Sequence, residues 1–160
     1  MAAAIPPCLT KAVCVEIFCG KKRLSRRLRA KQFQVISDIS VDHLASKGIP
    51  ILRIDVSKKS QRLVLEELLR LDCSLYVHFA PPCGTASAAR SIKPGPPPLR
   101  SINFPMELKG LSFVQWARVS AANFLYQWTW KMIQELDARN VGWSVETPHL
   151  EGRIVGFSWG

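Results

Sequence analysis

The chain has 160 residues, of which 48% are apolar, and a formal net charge of +10. This length suits a single domain that buries about 70% of its unfolded surface, and the apolar content excludes an intrinsically disordered chain. No run of about 18 apolar residues occurs, so no membrane-spanning helix is expected, and the excess of cations favours nucleic acid as a partner.

The cysteines and the first residues bear on location. Five cysteines without short paired spacings predict reduced thiols, and therefore a nuclear or cytoplasmic protein. Residues 1–12 lack the basic start and the long apolar core of a signal peptide, and they are interpreted as an N-terminal extension. The spacing of Cys8, Cys14 and Cys19 does not match a metal site, so no metal is expected.

The chain then alternates between apolar runs and amphipathic segments. Residues 13–18 predict a buried strand, and residues 21–31 predict a helix that carries seven cations around an inner face of Leu24 and Leu28. A second strand is predicted at 33–37.

The next segment predicts a third strand and a second helix. Residues 50–54 form an apolar run that ends at Asp55. Ser60 is the expected N-cap of a helix that runs to about Leu71 with an inner stripe of leucines.

The most informative segment follows a fourth predicted strand at 75–80. Pro81-Pro82-Cys83 ends this strand, because prolines fix φ and remove backbone donors, and the thiol is thereby held on a rigid turn. His78, inside the strand, is interpreted as a core histidine. Residues 81–110 are rich in Pro, Gly and Ser and predict a long loop that is either functional or mobile.

A long helix and a last strand complete the pattern. The helix is predicted from about Leu111 to Ala138, and its aromatic and aliphatic stripe is interpreted as core: Trp116, Phe124, Leu125, Trp128, Met132 and Leu136. Residues 141–145 predict a fifth strand, and Glu146 follows it.

Strands that alternate with helices predict an α/β fold with a doubly wound, mostly parallel sheet of about five strands. In such sheets ligands bind beyond the carboxyl ends of the strands. Gly20, Asp55, Cys83 and Glu146 each follow a predicted strand end, so we expect them on one rim of the sheet.

In this arrangement the chain resembles the S-adenosylmethionine-dependent DNA cytosine-5 methyltransferases. Val15-Glu16-Ile17-Phe18-Cys19-Gly20, followed by Leu24-Ser25, is similar to their first motif. Asp55 is similar to their acidic residue at the adenine, Pro81-Pro82-Cys83 to their catalytic Pro-Cys motif, and Glu146-Thr147-Pro148 to their Glu-Asn motif.

The resemblance covers residues 13–150 and implies a Rossmann-like methyltransferase domain. The family's later motifs and last strands have no counterpart, so residues 151–160 are interpreted as a truncated tail. Further C-terminal segments or a partner chain are expected to complete the sheet.

The resemblance also implies the chemistry. Cys83 would add to C6 of cytosine, and Glu146 would hold the base edge and share a proton with N3, after the target base has left its helix. Arg90, Lys93 and Arg100 are expected to contact the backbone of a nucleic acid, DNA ahead of RNA. The residues expected at the cofactor, S-adenosyl-L-methionine, are Phe18, Cys19, Gly20, Asp55, Pro81 and either Asp38 or Asp42.

One departure supports a second interpretation. Lys21-Lys22-Arg23 replaces the family's glycine-rich turn, which narrows the backbone approach to a cofactor. The alternative is a catalytically inactive, methyltransferase-like module that binds nucleic acid.

Overall fold

The computed structural model describes residues 12–19, 23–37, 52–87, 90, 92–101 and 103–146. Within them, three helices alternate with four strands. The elements in chain order are β1 (Val13–Ile17), α1 (Arg23–Ala30), β2 (Gln34–Ser37), α2 (Lys59–Leu69), β3 (Ser74–Phe79), α3 (Phe113–Ala138) and β4 (Gly142–Val145).

The four strands form one parallel sheet in the order β2-β1-β3-β4. The predicted α/β character and parallel sheet are therefore confirmed. The chain moves from β1 to one side and then returns to the other side, so the strand order reverses between β1 and β3. This is the position where open α/β sheets bind ligands, beyond the carboxyl ends of the strands.

The helices cover both faces of the sheet, as right-handed crossovers require. On β1, Val15 and Ile17 belong to the buried core shared with α2 and α3. Glu16 points to the opposite face, because side chains alternate along a strand, and its carboxylate contacts Ser25 of α1. Helix α1 thus lies on one face, and α2 and α3 lie on the other.

Helix α3 is the longest element, and it starts with a complete capping box. The Ser112 hydroxyl accepts from the backbone of Gln115, and the Gln115 side chain accepts from the backbone of Ser112. Further along, Trp128 packs edge-on against Phe79 of the sheet and donates its indole N–H to the buried carboxylate of Glu66 on α2, at 2.9 Å. These contacts fix α3 against both the sheet and α2.

The strand predicted at 50–54 is wrong over the described residues from Leu52 onward. Ile54 and Val56 are buried, but they pack into the core beside α2 without pairing in the sheet. The apolar run that resembled a strand therefore serves as packing at the entrance to α2, and the described part of the sheet has four strands where about five were predicted.

Ser60 is not the N-cap of α2, which lies at Lys58. The helix entrance is held by other side chains. Gln61 accepts from the backbone N–H of Asp55 at 2.6 Å, and Asp55 accepts from the backbone N–H of Ser57 at 3.0 Å.

The core stripe predicted along α3 is correct for Trp128, Met132 and Leu136, which are buried. It is wrong for Trp116 and Phe124, which are 47% and 37% exposed. A helix of 26 residues is about 39 Å long, whereas strands of four to six residues span about 13–20 Å. The first turns of α3 therefore extend past the sheet and contact the long loop.

Candidate functional site

The carboxyl ends of three neighbouring strands bring the main candidate residues to one edge of the sheet. The pairing of β1 with β3 continues through the bond from Ala80 N to the Ile17 carbonyl, at 3.0 Å. The pairing of β3 with β4 ends with the bond from Glu146 N to the Phe79 carbonyl, at 2.8 Å. The segment that carries Cys83 and the residue Glu146 thus leave adjacent strands at the same edge.

Cys83 is exposed, and its backbone surroundings are fixed. Three successive carbonyls, those of residues 82–84, each accept a hydrogen bond. The donors are Tyr126 Oη to Pro82 at 3.0 Å, Ala86 N to Cys83 at 2.9 Å and Arg90 Nε to Gly84 at 2.5 Å. Two of these bonds lie within the loop and the third joins it to α3, so the thiol is presented to solvent from an ordered loop.

Arg100 anchors the same loop from the inside. Its guanidinium donates to the Thr85 hydroxyl at 3.1 Å, to the Asn123 side chain at 2.6 Å, and to the carbonyls of Pro105 and Val119 at 2.7 and 3.3 Å. Burial lowers the pKa of Arg100. The residue predicted to contact a nucleic-acid backbone therefore directs its donors into the protein, where it joins the loop to α3.

Arg90 and Lys93 differ in their surroundings. Arg90 bonds the carbonyls of Gly84 and Pro97, the latter at 2.9 Å, and so places a positive charge next to the Cys83–Gly84 backbone. Lys93 is exposed on the loop. Of the three loop cations predicted to contact phosphate, Lys93 alone makes no hydrogen bond or ion pair to the described part of the protein.

Tyr126 lies between the loop and α3. Burial raises the pKa of its phenol, the positive charge of Arg100 lowers it, and the negative charge of an ionised Cys83 raises it. The Arg100 guanidinium carbon lies 5.8 Å from the centre of the Tyr126 ring. Tyr126 thus interacts electrostatically with Arg100 and Cys83, and its hydrogen bond to Pro82 joins the thiol segment to α3.

Glu146 belongs to a polar network that spans β3 and β4. Its carboxylate lies 3.6 Å from His78 Nε2, and its side chain is 72% exposed. The other ring nitrogen of His78 lies 2.7 Å from Ser144 Oγ, and Tyr76 Oη lies 2.5 Å from the same oxygen. The interpretation of His78 as a buried histidine with hydrogen-bond partners is confirmed, although its partners connect it to the site.

The end of β1 turns sharply at Phe18, which has a φ of 60°. Its ring is half-buried and packs edge-on against Trp128, with centroids 6.3 Å apart. Cys19 is buried beside it. The left-handed conformation is rare for a residue with a side chain, so the turn after β1 is shaped by its surroundings.

Asp55 is half-buried, and one of its carboxylate oxygens accepts from the Ser57 hydroxyl at 2.6 Å. Lys58 Nζ lies 3.8 Å from the other oxygen. The hydrogen bond from the Ser57 hydroxyl is the main cause that lowers the pKa of Asp55.

Ten of the twelve candidate residues fall into three groups. Cys83, Glu146, Phe18, Cys19 and the buried Pro81 follow strands that end at one edge. Arg90 and Arg100 brace the loop from within. Gly20, Asp38 and Asp42 lie outside the described residues. Lys93 and Asp55 belong to none of these groups, and the prediction that Asp55 follows a strand end is wrong, because the described residues before it do not pair in the sheet.

Residues that sequence reasoning did not select complete the site. Tyr126 and Thr85 hold the thiol segment, Ser144 contacts His78, and Tyr76 contacts Ser144. The spacing of Val119, Ala122 and Tyr126, three and four residues apart, places them on one face of the predicted helix and was an available signal for Tyr126.

The part of the chain that the structure describes contains no group of three His, Cys, Asp or Glu side chains placed to hold a metal ion. Among the same residues, no helix has the length and apolar composition required to cross a membrane. No protein-family model, curated protein or solved structure matches this chain.

Proposed function

We propose that the protein transfers a methyl group from S-adenosylmethionine to C5 of cytosine in nucleic acid, with DNA as the first substrate to test, through a covalent adduct on Cys83. One observation carries the proposal. An exposed thiol stands on a hydrogen-bonded loop at the carboxyl edge of a parallel sheet, beside the reversal of strand order, and a carboxylate follows the adjacent strand.

The thiol is suited to nucleophilic addition. Its exposure leaves it open to a base, and the carbonyl bonds of residues 82–84 keep the segment in one conformation, which reduces the entropy lost when a reactant is oriented. The guanidinium of Arg90, which bonds the next carbonyl, places a positive charge beside the segment that carries the thiol.

In the proposed reaction the sulfur of Cys83 forms a bond to C6, and the electron pair of the C5–C6 double bond moves to C5. Glu146 holds a proton at N3 of the ring, which stabilises the charge that develops there. After C5 has gained a methyl group, it loses its proton to water, and the electron pair of that C–H bond re-forms the C5–C6 double bond. The bond from sulfur to C6 breaks at the same time, and its electron pair returns to sulfur.

The described residues offer two groups to an adenosine, one at this edge and one at the entrance to α2. Phe18 offers a half-buried aromatic ring at the end of β1, and Asp55 offers a carboxylate that is 28% exposed. When bound, S-adenosylmethionine supplies an electrophilic methyl group. Phe18 and Asp55 would hold its adenosine part, and the backbone at Cys19 would face its methionine part.

An oligonucleotide that contains 5-fluorocytosine tests the chemistry directly. Fluorine at C5 cannot leave as a proton does, so an adduct formed with Cys83 stays attached after methyl transfer. We expect mass spectrometry to find the oligonucleotide on the peptide that contains Cys83, in the presence of S-adenosylmethionine. The matched control is Cys83→Ala, in which the adduct should disappear while calorimetry shows unchanged cofactor binding.

Two results would overturn the proposal. One is an absence of heat on titration of the protein with millimolar S-adenosylmethionine. The other is methyl transfer that persists in Cys83→Ala. If the cofactor does not bind but nucleic acid does, the second candidate function applies, a catalytically inactive nucleic-acid-binding module, which the cations exposed on α1 favour.

A further inference from the structure

Helix α1 and the residue that follows it present a dense group of cations. The α1 cation surface consists of five exposed side chains, which are Arg23, Arg26, Arg27, Arg29 and Lys31. None of the five forms an ion pair with a carboxylate among the described residues.

The cations on the other face of the sheet are arranged differently. On α2 and α3, Arg62 pairs with Glu66, Arg70 with Glu135 at 2.8 Å, and Lys131 with both carboxylates. These charges bind the two helices to each other. The α1 cations make no comparable contribution to the fold, although like charges close together on one helix repel one another.

A buried carboxylate of the sheet, that of Glu16, holds α1 in place. Glu16 is 4% exposed, and its carboxylate accepts from the backbone N–H of Ser25 at 2.8 Å and from the Ser25 hydroxyl. Ser25 lies in the first turn of α1, where backbone N–H groups lack partners and a negative charge is favourable. This bond stabilises the helix while every arginine remains turned to solvent.

We propose that the α1 cation surface binds the sugar–phosphate backbone of nucleic acid without choosing a sequence. The eight residues of α1 span about 12 Å, and the phosphates of one B-DNA strand are spaced about 3.4 Å along the helix axis, so α1 aligned with that axis would span about three phosphates. The inference adds a binding surface to the proposed function, and it does not require the methyl-transfer chemistry.

An anionic membrane is the competing partner for a basic helix, but the apolar residues of α1 argue against it. A helix that lies in a membrane interface needs an exposed apolar face. Leu24 and Leu28 are half-buried on the side of α1 that faces the sheet. Phe33, which is 44% exposed, lies beyond the last turn, and a single ring suits stacking on one unpaired base better than insertion of a helix.

The test compares two variants of equal net charge. Arg26→Gln/Arg29→Gln removes two charges from the α1 cation surface, and Lys59→Gln/Arg118→Gln removes two exposed charges from α2 and α3 on the opposite face. Binding of a 20-base-pair DNA and of a single strand of the same length is measured by fluorescence anisotropy at several salt concentrations, without S-adenosylmethionine. Vesicles that contain phosphatidylserine form a parallel arm.

We expect the α1 variant to weaken DNA binding by about tenfold at low salt and to reduce the slope of log K against log salt by about 2, whereas the control variant stays near the wild type. Equal losses in the two variants, or binding to vesicles but not to DNA, would overturn the inference. The α1 variant should also still form the 5-fluorocytosine adduct at high protein concentration. Weakened DNA binding together with an intact adduct would show that this surface is separate from the chemistry at Cys83.

Discussion

The imidazole of His78 and the carboxylate of Glu146 lie 3.6 Å apart across the boundary between β3 and β4. Ser144 Oγ lies 2.7 Å from the other ring nitrogen and also contacts Tyr76. With the ring proton of His78 on Nε2, the hydrogen bonds run in one direction. Tyr76 donates to Ser144, Ser144 donates to Nδ1 of His78, and Nε2 of His78 points its proton toward Glu146. The network therefore orients a carboxylate that is otherwise largely exposed.

This geometry predicts the tautomer of His78. Nitrogen-15 NMR of the histidine ring at neutral pH should show a protonated Nε2 and an Nδ1 that accepts a hydrogen bond. Ser144→Ala should remove the Nδ1 bond and lower the free energy of unfolding by about 1 kcal/mol, because His78 is left with an unpaired ring nitrogen. Glu146→Gln is the matched control and should leave the Nδ1 bond intact; a proton found on Nδ1 would contradict the arrangement.

The thiols should differ in reactivity. Cys83 is exposed, whereas Cys14 is 2% exposed in β1, and burial raises the pKa of the Cys14 thiol. Iodoacetamide at neutral pH should therefore alkylate Cys83 in the native protein within minutes, and Cys14 should react after denaturation. Peptide mapping by mass spectrometry measures both, and rapid native labelling of Cys14 would show that β1 is not buried as described.

Arg100 should matter for stability. Arg100→Ala removes hydrogen bonds from Thr85, Asn123 and several carbonyls at once, so we expect the free energy of unfolding to fall by about 2–4 kcal/mol. The free energy of unfolding of Arg100→Lys should lie between those of the wild type and Arg100→Ala, because an ammonium cannot reproduce the forked donors of the guanidinium. Urea denaturation measures the difference, and the exposed Arg118→Ala, expected within about 0.5 kcal/mol of the wild type, is the control.

Asp55 should contribute to the loss of folding stability at acidic pH. Its pKa is lower in the folded protein than in the unfolded chain, chiefly because the Ser57 hydroxyl bonds the ionised carboxylate. The stabilisation is present above the unfolded pKa, near 4, and is lost as the pH falls through the folded pKa. Asp55→Asn should therefore be less stable than the wild type at pH 6 and should approach its stability at pH 3. Urea midpoints at both pH values measure the difference. A difference that does not change with pH would contradict this.

Much of the fold followed from local patterns. Apolar runs at 13–18 and 75–80 and the amphipathic segments between them predicted a parallel α/β sheet, and the rule that ligands bind at the carboxyl edge selected Cys83 and Glu146. The failure at 50–54 has a physical cause, because an apolar run can be buried against a helix as well as in a sheet. Periodicity does not distinguish the two.

The supporting residues could not be predicted in the same way. Arg100 resembled a surface cation because nothing in its own segment indicates that Asn123, 23 residues later, and the carbonyls around it would surround its guanidinium. Ser144 and His78 lie 66 residues apart and meet because of the strand register. Such pairings depend on tertiary geometry, which a single sequence records only indirectly.

The bond between Tyr126 and Pro82 joins residues 44 positions apart in the chain. Contacts of such long separation form only after the entropy of closing the intervening loop has been overcome. The native conformation of the segment that bears Cys83 therefore depends on the docking of α3 on β3. If α3 moved away from β3, the exposed thiol would lose the fixed position that the proposed addition to a base requires.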